Sequence, residues 1–137
     1  MRGKRAISVI LDHRLCRVLA ILWMALIFWF SSLPHVPGPE LFSAQDKLAH
    51  FLVFGILGVL FAGALGPWKR SGLSWGEIGI VTLLVAAYGA SDELHQMFVP
   101  GRNASLFDLL FDSLGGFSFA YLYRLYFHYL YGAGSVS

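Results

Sequence analysis

The chain has 137 residues, 57% of them hydrophobic and 13% charged, with a mean hydropathy of +0.65, whereas soluble domains carry about 25% charged residues. So little polar surface cannot solvate a globule of this size, which excludes an ordinary soluble domain and a disordered chain and points to one integral membrane domain over residues 1–137. A net charge of +2 argues against a nucleic-acid partner, and the single Cys16 allows neither an internal disulfide nor a paired-cysteine metal site.

A membrane-crossing helix needs about 20 mainly apolar residues, fewer where flanking side chains snorkel. Four stretches meet this. The first, 18–33, is uncharged and ends in Trp23, Phe28, Trp29 and Phe30, an interfacial aromatic belt. No small-residue cleavage pattern follows it, so it is expected to stay in the protein rather than act as a signal peptide. Pro34, Pro37, Gly38 and Pro39 then break the helix. The second, 46–65, places Gly58 and Ala62, with Gly66 just beyond, on one face for close packing against a neighbour. The third, 77–98, is apolar from Ile78 until Asp92, Glu93, His95 and Gln96 interrupt it. The fourth, 105–126, carries Asp108 and Asp112 near its start and an aromatic-rich end. The expected fold is all-α, an integral membrane four-helix bundle.

Orientation follows from the basic residues of the short loops. With four spans, Arg2, Lys4, Arg5, Arg14, Arg17, Lys69, Arg70 and Arg124 share one side, which predicts that both termini are cytoplasmic in an inner or plasma membrane. The opposite side holds Glu40, Asp46, Asp92, Glu93, Asp108 and Asp112, with only Lys47 and Arg102 among the lysines and arginines. Asp46 and His50, Asp92 and Gln96, and Asp108 and Asp112 are each four residues apart, so each pair projects from one helix face. At about 1.5 Å rise per residue, His50 lies about 6 Å deeper than Asp46, Asp112 about 6 Å deeper than Asp108, and Asp92 about 9 Å before Phe98. Three helices thus bring ionisable groups to one depth. Because such groups are costly in lipid, a shared polar pocket in the outer leaflet is the economical arrangement. Of the adjacent Asp92 and Glu93, one is expected to enter the pocket and the other to reach the headgroups. The plainer roles are an acid in the first helical turn for Asp46, a snorkelling anchor for Lys47 and a surface ion pair for Arg102.

The string Asp46-Lys47-Leu48-Ala49-His50-Phe51, then Ser91-Asp92-Glu93-Leu94-His95-Gln96-Met97-Phe98-Val99-Pro100-Gly101-Arg102, then Ser105, Asp108, Asp112 and Gly115-Gly116 resembles the VanZ-like family of small bacterial membrane proteins. The combination D-K-x-x-H, D-E-x-x-Q-x-F-x-P-x-R and D-x-x-x-N-x-x-G is specific, although no single piece is. By that likeness Asp46, Lys47, His50, Asp92, Glu93, Gln96, Arg102 and Asp108 are family-typical. Asp112 stands where the family usually has asparagine, and either protonation or a compensating cation would accommodate it. The family's namesake is associated with resistance to teicoplanin, which implies a role in the cell envelope or in glycopeptide response.

These residues predict a pocket that binds or acts on a lipid-linked phosphate or headgroup. His50, Asp92 and Asp108 are the candidates for catalysis; Asp46, Lys47, Glu93, Gln96 and Arg102 are those for ligand binding, with Arg102 as an anion clamp. Asp92, Asp108 and Asp112 are the oxygen ligands for a divalent cation, the one cofactor the sequence suggests. A zinc set using His50, His95 and carboxylates is the lesser option. Partners are expected to be the bilayer and a lipid-linked envelope intermediate or glycopeptide. A non-catalytic accessory protein and a proton- or ion-coupled transporter are the competing functions.

Overall fold

Apolar runs without internal proline satisfy their backbone locally as helices, and a computed structural model, which describes residues 12–34, 44–65 and 72–132, contains four of them. They are α1 (His13–Ser31), α2 (Gln45–Ala64), α3 (Trp75–Gln96) and α4 (Leu106–Gly132), with no strand among the described residues. The expected positions hold, and the ends differ for local reasons. α1 begins before residue 18 because Asp12 caps it, accepting from the Arg14 N–H at 2.9 Å. α3 begins in a capping box, with the Ser74 hydroxyl on the Glu77 N–H and the Glu77 carboxylate on the Ser74 N–H. It stops at Gln96 rather than 98, so Asp92 lies about 6 Å from the helix end, closer than expected. α4 continues past residue 126, and its Arg124 donates to the Leu73 carbonyl while lying 5.1 Å from the Trp75 ring centroid. Of the proposed loop residues, Pro37, Gly38 and Pro39 lie outside the described residues, as do Gly66, Glu40 and the basic Arg2, Lys4, Arg5, Lys69 and Arg70.

α2 touches all three other helices, most extensively α4. Small residues allow this. A methyl group on Gly58 would stand 2.8 Å from the Gly116 carbonyl oxygen and 2.9 Å from its Cα, and one on Gly55 would stand 2.6 Å from the Phe119 ring. Gly58 and Ala62 are both buried, as their spacing predicts. The remaining core is Phe54, Leu57, Ile78, Val81, Val85 and Ala120. α1 lies against α2 and α3, held by the Trp23 indole N–H donating to the Val53 carbonyl at 3.0 Å and the Tyr88 hydroxyl donating to the Met24 carbonyl at 2.6 Å. Two helices, α1 and α2, are long and apolar enough to cross a membrane.

The Gly58–Gly116 approach offers no flexible atom that could yield. Gly58→Leu is expected to destabilise the bundle by about 1–3 kcal/mol or more through overpacking. Gly79→Leu, at a helical position with nothing within 4 Å of the added atom, should be neutral or slightly stabilising. Thermal melts in detergent compare the two.

Candidate functional site

The start of α2, the end of α3 and the start of α4 meet at one end of the bundle, and there the chain buries Asp92, Glu93, Gln96, Asp108 and Asp112. α2 and α4 face one another in two layers. In the outer layer the Lys47 ammonium pairs with Asp108 across the helices and with Asp46 beside it, the latter at 2.7 Å. One turn deeper, His50 Nδ1 and Asp112 Oδ1 are 2.8 Å apart, and the imidazole is stacked on Phe54 with ring centroids at 6.0 Å. The three-residue interval Lys47–His50 on α2 and the four-residue interval Asp108–Asp112 on α4 produce this ladder. α3 completes it from the third side. Glu93 Oε2 accepts the Ser105 backbone N–H at 2.6 Å, and Ser105 in turn caps α4 by accepting from the Asp108 N–H at 3.3 Å.

Both members of the Asp92–Glu93 pair are buried, at 5% and 7% exposure. This corrects the expectation that one reaches the headgroups. A 100° step between neighbours separates them on α3, but the helix end is covered on both sides: Asp92 accepts from the Gln96 amide at 2.9 Å, and Glu93 faces the start of α4.

Arg102 is a second correction. Its Nε donates to the Leu33 carbonyl at 3.0 Å and a terminal nitrogen donates to the Phe30 carbonyl at 2.9 Å. The guanidinium ties down the chain just past α1, donating to the Leu33 carbonyl and adding a second donor to the Phe30 carbonyl, which already accepts the Leu33 N–H at 3.2 Å, and no carboxylate pairs with it among the described residues. Gly101, with φ +84°, supplies the turn that aims it. His95 of α3 likewise faces the end of α1, with its Nε2 at 2.9 Å from the Ser32 hydroxyl and its ring centroid 4.4 Å from that of Phe28. The His50–His95 zinc set is therefore not assembled.

The oxygen-only set of Asp92, Asp108 and Asp112 is not assembled either, because Gln96 and Lys47 engage the first two. The one group of possible metal donors among the described residues is His50, Glu93 and Asp112, each offering an atom within 4.8 Å of the others. Several buried oxygens here have no hydrogen-bond partner: Asp92 Oδ1, Glu93 Oε1 and Asp112 Oδ2. Four buried carboxylates thus share one lysine and one histidine. Gly89 was not singled out in the sequence, yet it makes room for Asp112: a methyl group there would stand 2.7 Å from Oδ2. Its signal is the four-residue interval to Glu93, which puts a bare backbone one turn below that carboxylate on the same face of α3.

The chain is thus a small, largely apolar helical bundle that buries acids from α3 and α4 at one end, against Lys47 and His50 of α2. The chain belongs to the VanZ/LLP1 family, whose model matches residues 17–127 and so takes in all of these positions. No curated protein and no solved structure matches the chain.

Two outcomes test these assignments. Lys47→Met and Asp108→Asn should each destabilise the fold and recover part of the loss when combined, with a coupling of about 1–3 kcal/mol, less than for a fully buried pair because the Lys47 side chain is 27% exposed. Arg102→Gln should cost about 1.5–3 kcal/mol of stability through lost charged hydrogen bonds. A cap predicts that ligand retention per folded molecule stays unchanged in Arg102→Gln, whereas an anion clamp predicts its loss.

Proposed function

We propose that this VanZ-like chain is a multi-pass protein of the inner or plasma membrane, with four spans, both termini cytoplasmic and an outward-facing polar pocket. The pocket binds a lipid-linked phosphate or headgroup of the cell envelope, in keeping with a role in envelope or glycopeptide response. The charges that interrupt the apolar character of α3 and α4 are mostly turned inward, while Ile80, Leu83, Leu110 and Leu122 are exposed. Such an inside-out distribution supports lipid around all four helices.

The observation that carries the binding role is the juxtaposition, at one end, of a buried polar cluster with an exposed apolar rim. Met97, Phe98, Leu106 and Phe107 surround the α3–α4 turn, with Phe98 83% and Leu106 85% exposed. An amphiphile satisfies both, its acyl or prenyl chain on the rim and its head at the cluster. Lys47 stands at the mouth, between Asp46 and Asp108, as a cation that a phosphate can recruit. A proton path is less well supported, because the core beneath the cluster is Phe54, Leu57, Ile78, Val81, Val85 and Ala120, none of them ionisable.

Native mass spectrometry of the detergent-purified chain, offered a polyprenyl phosphate against phosphatidylcholine, tests the role. Preferential retention of the phosphate lipid is expected, with retention per folded molecule falling in Lys47→Gln beyond any fall in yield. Equal retention, or retention that falls only in step with yield, contradicts it. Release of inorganic phosphate in the same incubation would make the protein an enzyme, with His50 the candidate acid or base. For the topology, a reporter fused after Pro100 should read as external, and a cytoplasmic signal would overturn the orientation.

A further inference from the structure

The geometry points to a binding site for one divalent first-row transition cation, of the Zn²⁺ or Mn²⁺ class, formed by His50 of α2, Glu93 of α3 and Asp112 of α4. This assignment does not depend on the lipid-binding role.

Three observations support it. One donor atom from each residue lies within 4.8 Å of the other two. Ligands of a tetrahedral ion held at about 2 Å stand about 3.3 Å apart, so an ion is reached by modest inward movement of side chains already in place. The 2.8 Å contact between His50 Nδ1 and Asp112 Oδ1 is the one that opens slightly. Second, the acids are more than nine-tenths buried, with Glu93 7% and Asp112 0% exposed, yet Glu93 Oε1 and Asp112 Oδ2 have no hydrogen-bond partner. Buried polar atoms nearly always find a partner, and two orphaned carboxylate oxygens on facing helices imply an occupant. Third, the wall beside Asp112 is hollowed at Gly89, where a methyl group would stand 2.7 Å from Oδ2 and 3.3 Å from the carboxyl carbon. Any side chain on Gly89 would take the space that this carboxylate uses.

The donor set decides the class of ion. Mg²⁺ and Ca²⁺ favour oxygen ligands, whereas one imidazole with two carboxylates suits Zn²⁺, Mn²⁺ or Fe²⁺. Three protein ligands leave a coordination position for water or an anionic oxygen, as in catalytic sites rather than closed structural ones. The surrounding residues supply an outer shell: Ser105 fixes the second oxygen of Glu93 through its backbone N–H at 2.6 Å, and Phe54 stacks on the imidazole. Two carboxylates and a neutral imidazole balance a dication.

The test uses the full chain in detergent, stripped with chelator and titrated calorimetrically with Zn²⁺ or Mn²⁺ alone. One ion per chain is expected. Because loss of a partner one shell further out already costs about 10–100-fold in affinity, Asp112→Asn and His50→Gln should weaken binding by at least about 100-fold. Gly89→Ala should weaken it while leaving every donor in place, and Gly79→Leu, at an open position away from the cluster, should retain it. The Mn²⁺-loaded wild type gives a readout independent of how variants fold: electron spin-echo spectra should carry the nitrogen modulation of a single imidazole. A wild type that takes up no ion, an Asp112→Asn protein that binds as tightly, or bound Mn²⁺ without nitrogen modulation would each overturn the site. Metal binding without retention of a phosphate lipid would leave this site standing and count against the lipid-binding role alone.

Discussion

Where α2 crosses α4 at Gly58 and Gly116, no side chain separates the two backbones. Gly58 meets Gly116, Gly55 meets the Phe119 ring, and the rest of the polar architecture follows from the distance they set. Only at that separation can the short side chains of Asp108 and Asp112 reach Lys47 and His50 directly, and only with two such rungs does the helix pair acquire a fixed register. Small residues let helices make close van der Waals contact, and interhelical polar bonds add to the association. Both meet on one helix pair here, with the glycines in the middle and the charges at the end.

Charge is unevenly provided at that end. Four carboxylates are buried against Lys47 and His50, while Arg102, the other basic side chain nearby, is engaged by the carbonyls of Phe30 and Leu33. A site built for an anion alone would not be so rich in acids. The excess suits the proposed cation. Asp112 adds a carboxylate at a position where the VanZ-like pattern has a neutral amide, and the opening at Gly89 accommodates it. The change in residue and the space around it are consistent with one another.

Much of the bundle was legible before any coordinates. Four apolar runs gave four helices, because helix is how a continuous apolar segment satisfies its own backbone. The four-residue intervals at Asp46–His50, Asp92–Gln96 and Asp108–Asp112 gave the faces, and shared depth gave the convergence of α2, α3 and α4. Partner choice was less accessible. Lys47 selecting Asp108, Gln96 selecting Asp92 and His50 selecting Asp112 depend on helix rotations that spacing within one helix does not encode. Arg102 misled for a related reason: beside so many acids an arginine suggests an ion pair, while the carbonyls it meets at the end of α1 are 69 and 72 residues away in sequence. The burial of both Asp92 and Glu93 was equally hidden, because it depends on how the loop returns over α3 through Ser105.

The Arg102 contact also orders events during synthesis. α1 is the first of the four helices to emerge, yet two of its terminal carbonyls receive their side-chain donor only when the α3–α4 turn has been made, 69 and 72 residues later. Until then the Leu33 carbonyl lacks this donor, while that of Phe30 is held by the Leu33 N–H, at 3.2 Å. The earliest helix is therefore the last to be finished, and the turn between α3 and α4 acts as a clasp that records the arrival of the final hairpin.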